Sequence, residues 1–202
     1  MKEKKEKAVK TKVEILCEVS ARHVHLSAEH LEILFGKGAQ LTEVKPLSQP
    51  GQYLAEQRVD LVTDKTTFKN VAVLGPTRAK TQVELSRTDC FALGLKTVPV
   101  RQSGDLAGTP GVKLRNGDKE VAIEEGVIVG MRHVHLDDKF AATHDIKDNQ
   151  IVSIKIQGER GGTLKNAVAR VHPSFAPAIH IDTDEANAMG FTTGTAIIKA
   201  KS

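Results

Sequence analysis

The chain has 202 residues, 40% hydrophobic and 27% charged, which is the balance of a globular protein long enough for one large domain or two small ones. No run of about 18 apolar residues is present, so no helix is expected to cross a membrane. Of 29 basic and 25 acidic side chains, six lysines and two glutamates fall in residues 1–12, leaving 23 of each sign elsewhere; with only seven aromatics, a nucleic-acid surface is excluded as well.

"MKEKKEKAVKTK" (1–12) lacks an apolar segment and a cleavage site, so it reads as a flexible basic tail and not as a signal or targeting helix. "VEILCEVS" (13–20) then opens a series of short β-branched segments. Ser27 caps a helix over "AEHLEILF" (28–35), closed by Gly36. "LTEVKPLSQPGQYLAE" (41–56) reads as a hairpin excursion turning at Pro50-Gly51. Strands follow in "RVDLVT", "NVAVL", "TQVEL" and "KTVPVR". "RQSGDLAGTPG" (101–111) fits a linker or an anion-cradling loop equally well. "RNGDK" (115–119) marks a hairpin turn. Strands resume at "EVAI", "GVIVGMRHVHL", "QIVSIKIQG", "NAVARVH", "AIHI" and "TAIIKA", with Asp137 capping a short helix over "DKFAATH". The fold class expected is mainly β: two small β-barrel domains with short capping helices and an inserted hairpin.

Cys17 and Cys90, without CxxC spacing, read as free thiols of a reducing compartment. Cys17 shares the parity of His23 and His25 only if the strand runs on unbroken; a small buried residue is the preferred reading.

The barrels arise from an internal duplication. "RHVHL" occurs at 22–26 and at 132–136, an offset of 110. "VELSRTDCFALGL" (83–95) matches "IHIDTDEANAMGF" (179–191) at an offset of 96. Each later block is a strand followed by a capping box, Ser86 with Asp89 and Asp182 with Glu185. The smaller second offset assigns the first half an insertion, for which 41–56 is the natural candidate.

His-x-His in a strand puts two imidazoles on one face, about 6.5–7 Å apart, where they can converge on one metal; on a helix they would diverge. A zinc site needs a third protein ligand, and the second block offers one per copy: Glu84 aligns with His180. The expected sites are therefore His23, His25 and Glu84, and His133, His135 and His180, open enough for catalysis or substrate binding. His30, His144 and His172 are read as surface or packing residues, and Arg22 and Arg132 as covering the barrel. Arg78, in the Gly-Pro loop "LGPTRAKTQVE", suits a phosphate beside the metal because its planar fork binds oxygens bidentately.

Six blocks, "SARHVHLS", "LTEVKPLSQPGQY", "GPTRAKTQVELS", "RQSGDLAGTPG", "GVIVGMRHVHL" and "HIDTDEANAMGF", together resemble the PduL-type phosphotransacylases, or phosphate propanoyltransferases. The likeness runs from about residue 13 to the end. It implies two zinc ions in a cleft between two small barrels, held by the same six ligands, and a homodimer. It also implies Arg78 at the phosphate, and Ser20, Lys45, Leu74, His180 and Asn187 near coenzyme A. Where the family often has a basic residue just before Leu74, this chain has Ala72. The opening strand is implied to pair with the C-terminal half, giving one domain of 13–21 plus 131–202 and another of 22–130 that includes the hairpin insertion 36–56.

The activity implied is exchange between a short-chain acyl-CoA plus inorganic phosphate and an acyl phosphate plus CoA, by direct attack of phosphate on the thioester. A zinc-dependent hydrolase of thioesters or phosphoesters is the alternative, and a non-catalytic metal-binding module a third reading. Some relatives carry an amphipathic N-terminal extension for a bacterial microcompartment lumen; residues 1–12 lack its apolar stripe, so the expected location is cytoplasmic.

Overall fold

The computed structural model describes residues 13–200; the basic tail expected at 1–12 lies outside them. Fifteen strands and four short helices alternate among these residues. Strands β1 (Val13–Ser20), β11 (His133–Leu136), β12 (Ile151–Ile156), β13 (Gly162–Val171), β14 (Ala178–Asp182) and β15 (Gly194–Ala200) close into a six-stranded barrel in the order β1-β14-β11-β13-β12-β15.

The second sheet is a half-barrel that does not close. Its path runs β7 (Val100–Arg101), β10 (Val127–Gly130), β6 (Gln82–Leu85), β2 (His23–His25), β5 (Thr67–Gly75), β4 (Tyr53–Val62), β8 (Val112–Asn116) and β9 (Lys119–Ile123). A ninth strand, β3 (Glu43–Pro46), pairs with β4 alone and forms the inserted hairpin, which turns through Pro50-Gly51. The arms are unequal because β4 continues past the hairpin to Val62 through two register shifts. The Asn-Gly hairpin joins β8 to β9, with Asn116 paired to Lys119 and Gly117 at φ 63° in the turn.

The duplication is written into the pairing registers. β2 lies antiparallel to β6 with His23 opposite Glu84, and β11 lies antiparallel to β14 with His133 opposite His180. β2 runs parallel to β5 with His23 beside Ala72, and β11 parallel to β13 with His133 beside Val168. The strands that lead into each HVH segment are exchanged: β1 pairs with β14 of the closed barrel, and β10 pairs with β6 of the half-barrel. The chain therefore crosses between sheets within Ala21–Arg22 and again within Met131–Arg132.

Two separate cores result. Val24 and Leu26 sink into one with Val73, Val83 and Leu85, while Val134 and Leu136 sink into the other with Ile154, Ile179 and Ile181. All four motif residues are fully buried, and such burial contributes about 1.5–3 kcal/mol per side chain. A slip of one residue would turn Val24 and Leu26 out and the histidines in, so the apolar residues fix the facing of the polar ones. Cys17 alternates with Val13 and Ile15 into the closed barrel's core, on the face of β1 opposite Glu18 and Ser20. Since β1 and β2 belong to different sheets, the parity argument linking Cys17 to the histidines does not apply. Burial pushes the Cys17 thiol up to about 12 and the Cys90 thiol up to about 11.

The four helices form where their caps predict. Ser27 starts α1 (Ala28–Phe35) and Asp137 starts α3 (Asp138–Thr143), each accepting from the backbone amide three residues on. α2 (Arg87–Leu93) and α4 (Thr183–Ala188) begin with complete capping boxes, Ser86–Asp89 and Asp182–Glu185. None of them is long and apolar enough to cross a membrane.

A candidate binuclear metal cleft

Cross-strand neighbours share a face, so each third ligand arrives directly opposite the first histidine of its pair. The donor atoms of His23, His25 and Glu84 lie within 4.8 Å of one another, and so do those of His133, His135 and His180. Both groups line one cleft between the two sheets, partly open to solvent. Its wall also includes Glu18, Ser20, Leu74, Arg78, Ser103 and Arg170.

The imidazoles are oriented through their far nitrogens. Nδ1 of His23 lies 2.9 Å from the Ala21 carbonyl, Nδ1 of His133 lies 2.8 Å from Met131, and Nδ1 of His25 lies 3.2 Å from Leu74. A carbonyl can only accept, so the proton sits on Nδ1 and Nε2 presents its lone pair to the cleft. Both ring nitrogens of His135 and Nε2 of His180 are buried without a hydrogen-bond partner. Orphaned buried polar atoms are costly, and a cation held by these three rings would satisfy His180 Nε2 and one of the two His135 nitrogens.

Electrostatics keep the donors available. Burial, then His133 and His180, depresses His135 to about 2, and burial with His133 depresses His180 to about 3. Burial and His23 bring His25 to about 3, and burial also lowers His133. His23 is the exception: burial opposes its charge, but the Glu84 carboxylate, 3.6 Å away, outweighs burial and lifts it above the usual histidine value. Burial alone would raise Glu84, yet His23, His25 and His133 together hold it well below the usual carboxylate range. One His₂Glu set and one His₃ set suit zinc in kind.

A network behind Glu84 joins it to Arg78. The Arg78 Nη1 and Gln82 Nε2 both donate to Ser103 Oγ, at 2.7 and 2.8 Å, and Ser103 Oγ donates to Glu84 at 3.0 Å. Gln82 Nε2 also reaches Glu84 at 2.5 Å, and Gly104 N donates to Gln82 Oε1 at 2.7 Å. The start of the glycine-rich loop thus buttresses the site, and its Gly104 amide is taken by Gln82 and not offered to an anion. Arg78 is fixed through its backbone too, donating from N to the Leu26 carbonyl at 2.9 Å. Sequence reasoning missed Gln82 and Ser103. Gln82 was legible in principle, lying two residues before Glu84 on the same strand face.

The arginines that open the two motifs do more than cover a barrel. Arg22 donates from Nε and Nη2 to Asp89 Oδ1 at 3.0 and 2.7 Å, and Arg132 Nε donates to Glu185 at 2.5 Å. Each acid is the last residue of a capping box, so each arginine ties a His-x-His strand to the corner that carries the third donor of its cluster. The inserted hairpin bridges the sheets: Gln49 exchanges hydrogen bonds with Ala176 at 3.0 and 3.3 Å, and Ser48 donates to Glu18. Ser20 and Leu74 line the cleft, whereas Lys45 and Asn187 lie exposed outside its lining. His30 bonds Thr81, His144 packs on Phe140 and His172 bonds Ser174, all away from the clusters.

Gly130 sets the room for Glu84. A Cβ added there would lie 2.8 Å from Glu84 Oε2, closer than side chains approach. Gly130→Ala is therefore expected to displace the carboxylate and weaken zinc binding at its cluster by about 10- to 100-fold, the range for disturbed ligand support. Competition with a chromogenic chelator measures this, and unchanged affinity would show that Gly130 does not set the position of the Glu84 carboxylate.

Comparison with known proteins accords with this geometry. The family model described as phosphate propanoyltransferase matches residues 16–192. A phosphate propanoyltransferase of Leptotrichia buccalis is 49% identical over 179 residues, covering 89% of this chain and 84% of the relative. One of Thermotoga maritima is 49% identical over 181 residues (89% and 86%), and one of Salmonella typhimurium 48% over 173 residues (85% and 81%). With nine-tenths of its length aligned and a cleft that gathers two ligand clusters beside an arginine, the chain belongs to the phosphate propanoyltransferase family and is an acyltransferase.

Proposed function

We propose that the chain interconverts a short-chain acyl-CoA, propanoyl or acetyl, and inorganic phosphate with the acyl phosphate and CoA. The observation that carries this reading is the convergence of two three-donor clusters and Arg78 on one cleft. A hydrolase could work with one cluster and water; a guanidinium anchored beside the clusters provides for an anionic second substrate.

His23, His25 and Glu84 would hold one zinc ion, and His133, His135 and His180 the other. When bound, zinc supplies Lewis-acid polarisation and a template for oxygen and sulfur atoms. Arg78, pinned at Leu26 and Ser103, presents its fork to phosphate and fixes it for attack. An oxygen of hydrogen phosphate forms the new bond to the thioester carbonyl carbon, the C–S bond breaks, and CoA leaves as a thiolate that takes up a proton through solvent as the phosphate gives one up. Charge building on the carbonyl oxygen is offset by the Arg78 guanidinium. Direct attack is favoured over an acyl-thioester enzyme because both cysteines are buried in the cores as neutral thiols.

Ser20, Leu74 and His180 in the cleft would meet the thiol end of CoA, with the exposed Lys45 and Asn187 left for its outer, charged end. The two separate cores support reading the chain as units 13–21 plus 131–202 and 22–130. The family resemblance supports a homodimer, in the cytoplasm or, alternatively, a microcompartment lumen.

The test follows free CoA from propanoyl-CoA with and without phosphate, trapping acyl phosphate as its hydroxamate. Release is expected only with phosphate and in equal amount to hydroxamate. Release without phosphate would establish a hydrolase instead.

A further inference from the structure

Arg170 takes no part in the reaction as described, yet it stands on the wall of the same cleft. β13 runs parallel to β11 with Arg170 directly beside His135, and the side chain is half-buried. Among the described residues no carboxylate lies within ion-pair reach of it, and its guanidinium makes no hydrogen bond. The contrast with the other cleft arginines is sharp: Arg22 is tied to Asp89, and Arg78 to Ser103. Its close neighbour is the Phe175 ring, 5.9 Å from the guanidinium carbon, which itself stacks on His135 at 4.3 Å. That contact supports the plane of the guanidinium and leaves its N–H donors unanswered.

Arg78 and Arg170 come from different sheets. Arg78 follows β5 of the half-barrel and stands with the His₂Glu cluster; Arg170 belongs to the closed barrel and stands with the His₃ cluster. The charge of Arg170 is felt at Arg78, His133 and His135, so both guanidiniums act on one space. A partly desolvated cation without a counter-charge costs free energy, and at Arg170 the like charge of Arg78 in the same cleft adds to that cost. An oxyanion between them removes both costs at once.

We propose that Arg170 is a second phosphoryl-binding residue, gripping from the closed-barrel wall the same phosphate that Arg78 grips from the half-barrel wall. Tetrahedral phosphate presents oxygens to both sides, so the two forks hold it across the seam, between the clusters. The inference rests on the acyltransferase reading for its substrate. It adds that phosphate is clamped by both halves of the duplication, so acyl phosphate in the reverse direction meets the same pair.

The experiment compares full-length, zinc-loaded wild type with Arg170→Gln and Arg170→Lys. In Arg170→Gln the KM for phosphate is expected to rise about 10- to 100-fold, the effect of losing a charged hydrogen bond, while the KM for acyl-CoA stays within about twofold. Arg170→Lys keeps the charge without the fork and is expected to fall between. An unchanged phosphate KM, or a rise confined to acyl-CoA, overturns the proposal. A second measurement uses inorganic phosphate alone, without acyl-CoA, and reads thermal stabilisation by the bound anion. Wild type is expected to gain stability with phosphate and Arg170→Gln to gain much less; equal gains overturn the proposal. Phosphate-independent CoA release by wild type would instead defeat the acyltransferase reading, and the stabilisation measurement would still decide whether Arg170 holds phosphate.

Discussion

Replacing Arg78 with alanine is expected to lower kcat/KM for phosphate-dependent CoA release by about a hundred- to a thousandfold, the range for deleting one preorganised donor to developing charge. The loss should appear in kcat as well as in the phosphate KM. On the proposed mechanism the guanidinium would first bind phosphate and then meet the charge that grows on the carbonyl oxygen. Burial and the nearby Arg170 pull Arg78 below the ordinary arginine value while Glu84 supports its charge, and a guanidinium stays cationic under these influences. Arg78→Lys should recover only part of the rate, since a lysine cannot reach Ser103 and phosphate with one planar fork. Zinc content should remain that of wild type, because Arg78 donates to Ser103 and ligates nothing. Steady-state kinetics at varied phosphate, with metal analysis of the same samples, checks the result. An alanine variant within about threefold of wild type would remove Arg78 from the chemistry.

The second large effect concerns the metals. Wild type is expected to carry two zinc ions per chain, as the two donor groups imply, with Glu84→Gln and His180→Gln each carrying one. Each variant should lose at least about a hundredfold in activity, since a missing ligand exceeds the cost of disturbing a supporting group. Elemental analysis after dialysis gives the stoichiometry, and a wild type free of zinc but fully active would sink the assignment. The variants should differ in the metal-free protein. Glu84 is what lifts His23 against burial, so in Glu84→Gln burial, with the Arg78 charge, outweighs the remaining Ala21 carbonyl and the His23 pKa falls below the ordinary value. In His180→Gln the Glu84 carboxylate remains beside His23, which therefore stays raised. An NMR titration of the imidazoles separates the two. The inequality of the sites also has a chemical sense: with zinc bound, the His₂Glu set carries one positive charge less than the His₃ set, so the two ions differ in Lewis acidity.

How much of this was legible can be traced residue by residue. The twin pentapeptides and their third partners follow from sequence because strand periodicity is local: His23 and His25 share a face wherever β2 goes, and Glu84 and His180 emerge once the two halves are aligned. The capping boxes were equally plain, since a cap depends on four consecutive residues. What escaped were partners distant in the chain. Arg22 with Asp89 spans 67 residues, Gln49 with Ala176 spans 127, and Arg170 enters the cleft only because β13 lies beside β11. Ser103 belongs to a loop that composition left undecided between linker and cradle, and its role appeared only when the loop was seen folded against Gln82 and Glu84.

By itself the sequence determined the duplication, the mainly β character and the two groups of three donors that converge, because side-chain alternation and turn chemistry act over a few residues. The tertiary structure decided the rest. It exchanged β1 and β10 between sheets, left one sheet open while closing the other, and brought Arg78 and Arg170 from different sheets into the lining of one cleft. Those outcomes depend on which strand edges meet after long loops close, and the hydrophobic pattern that drives burial is the same for a strand in either sheet.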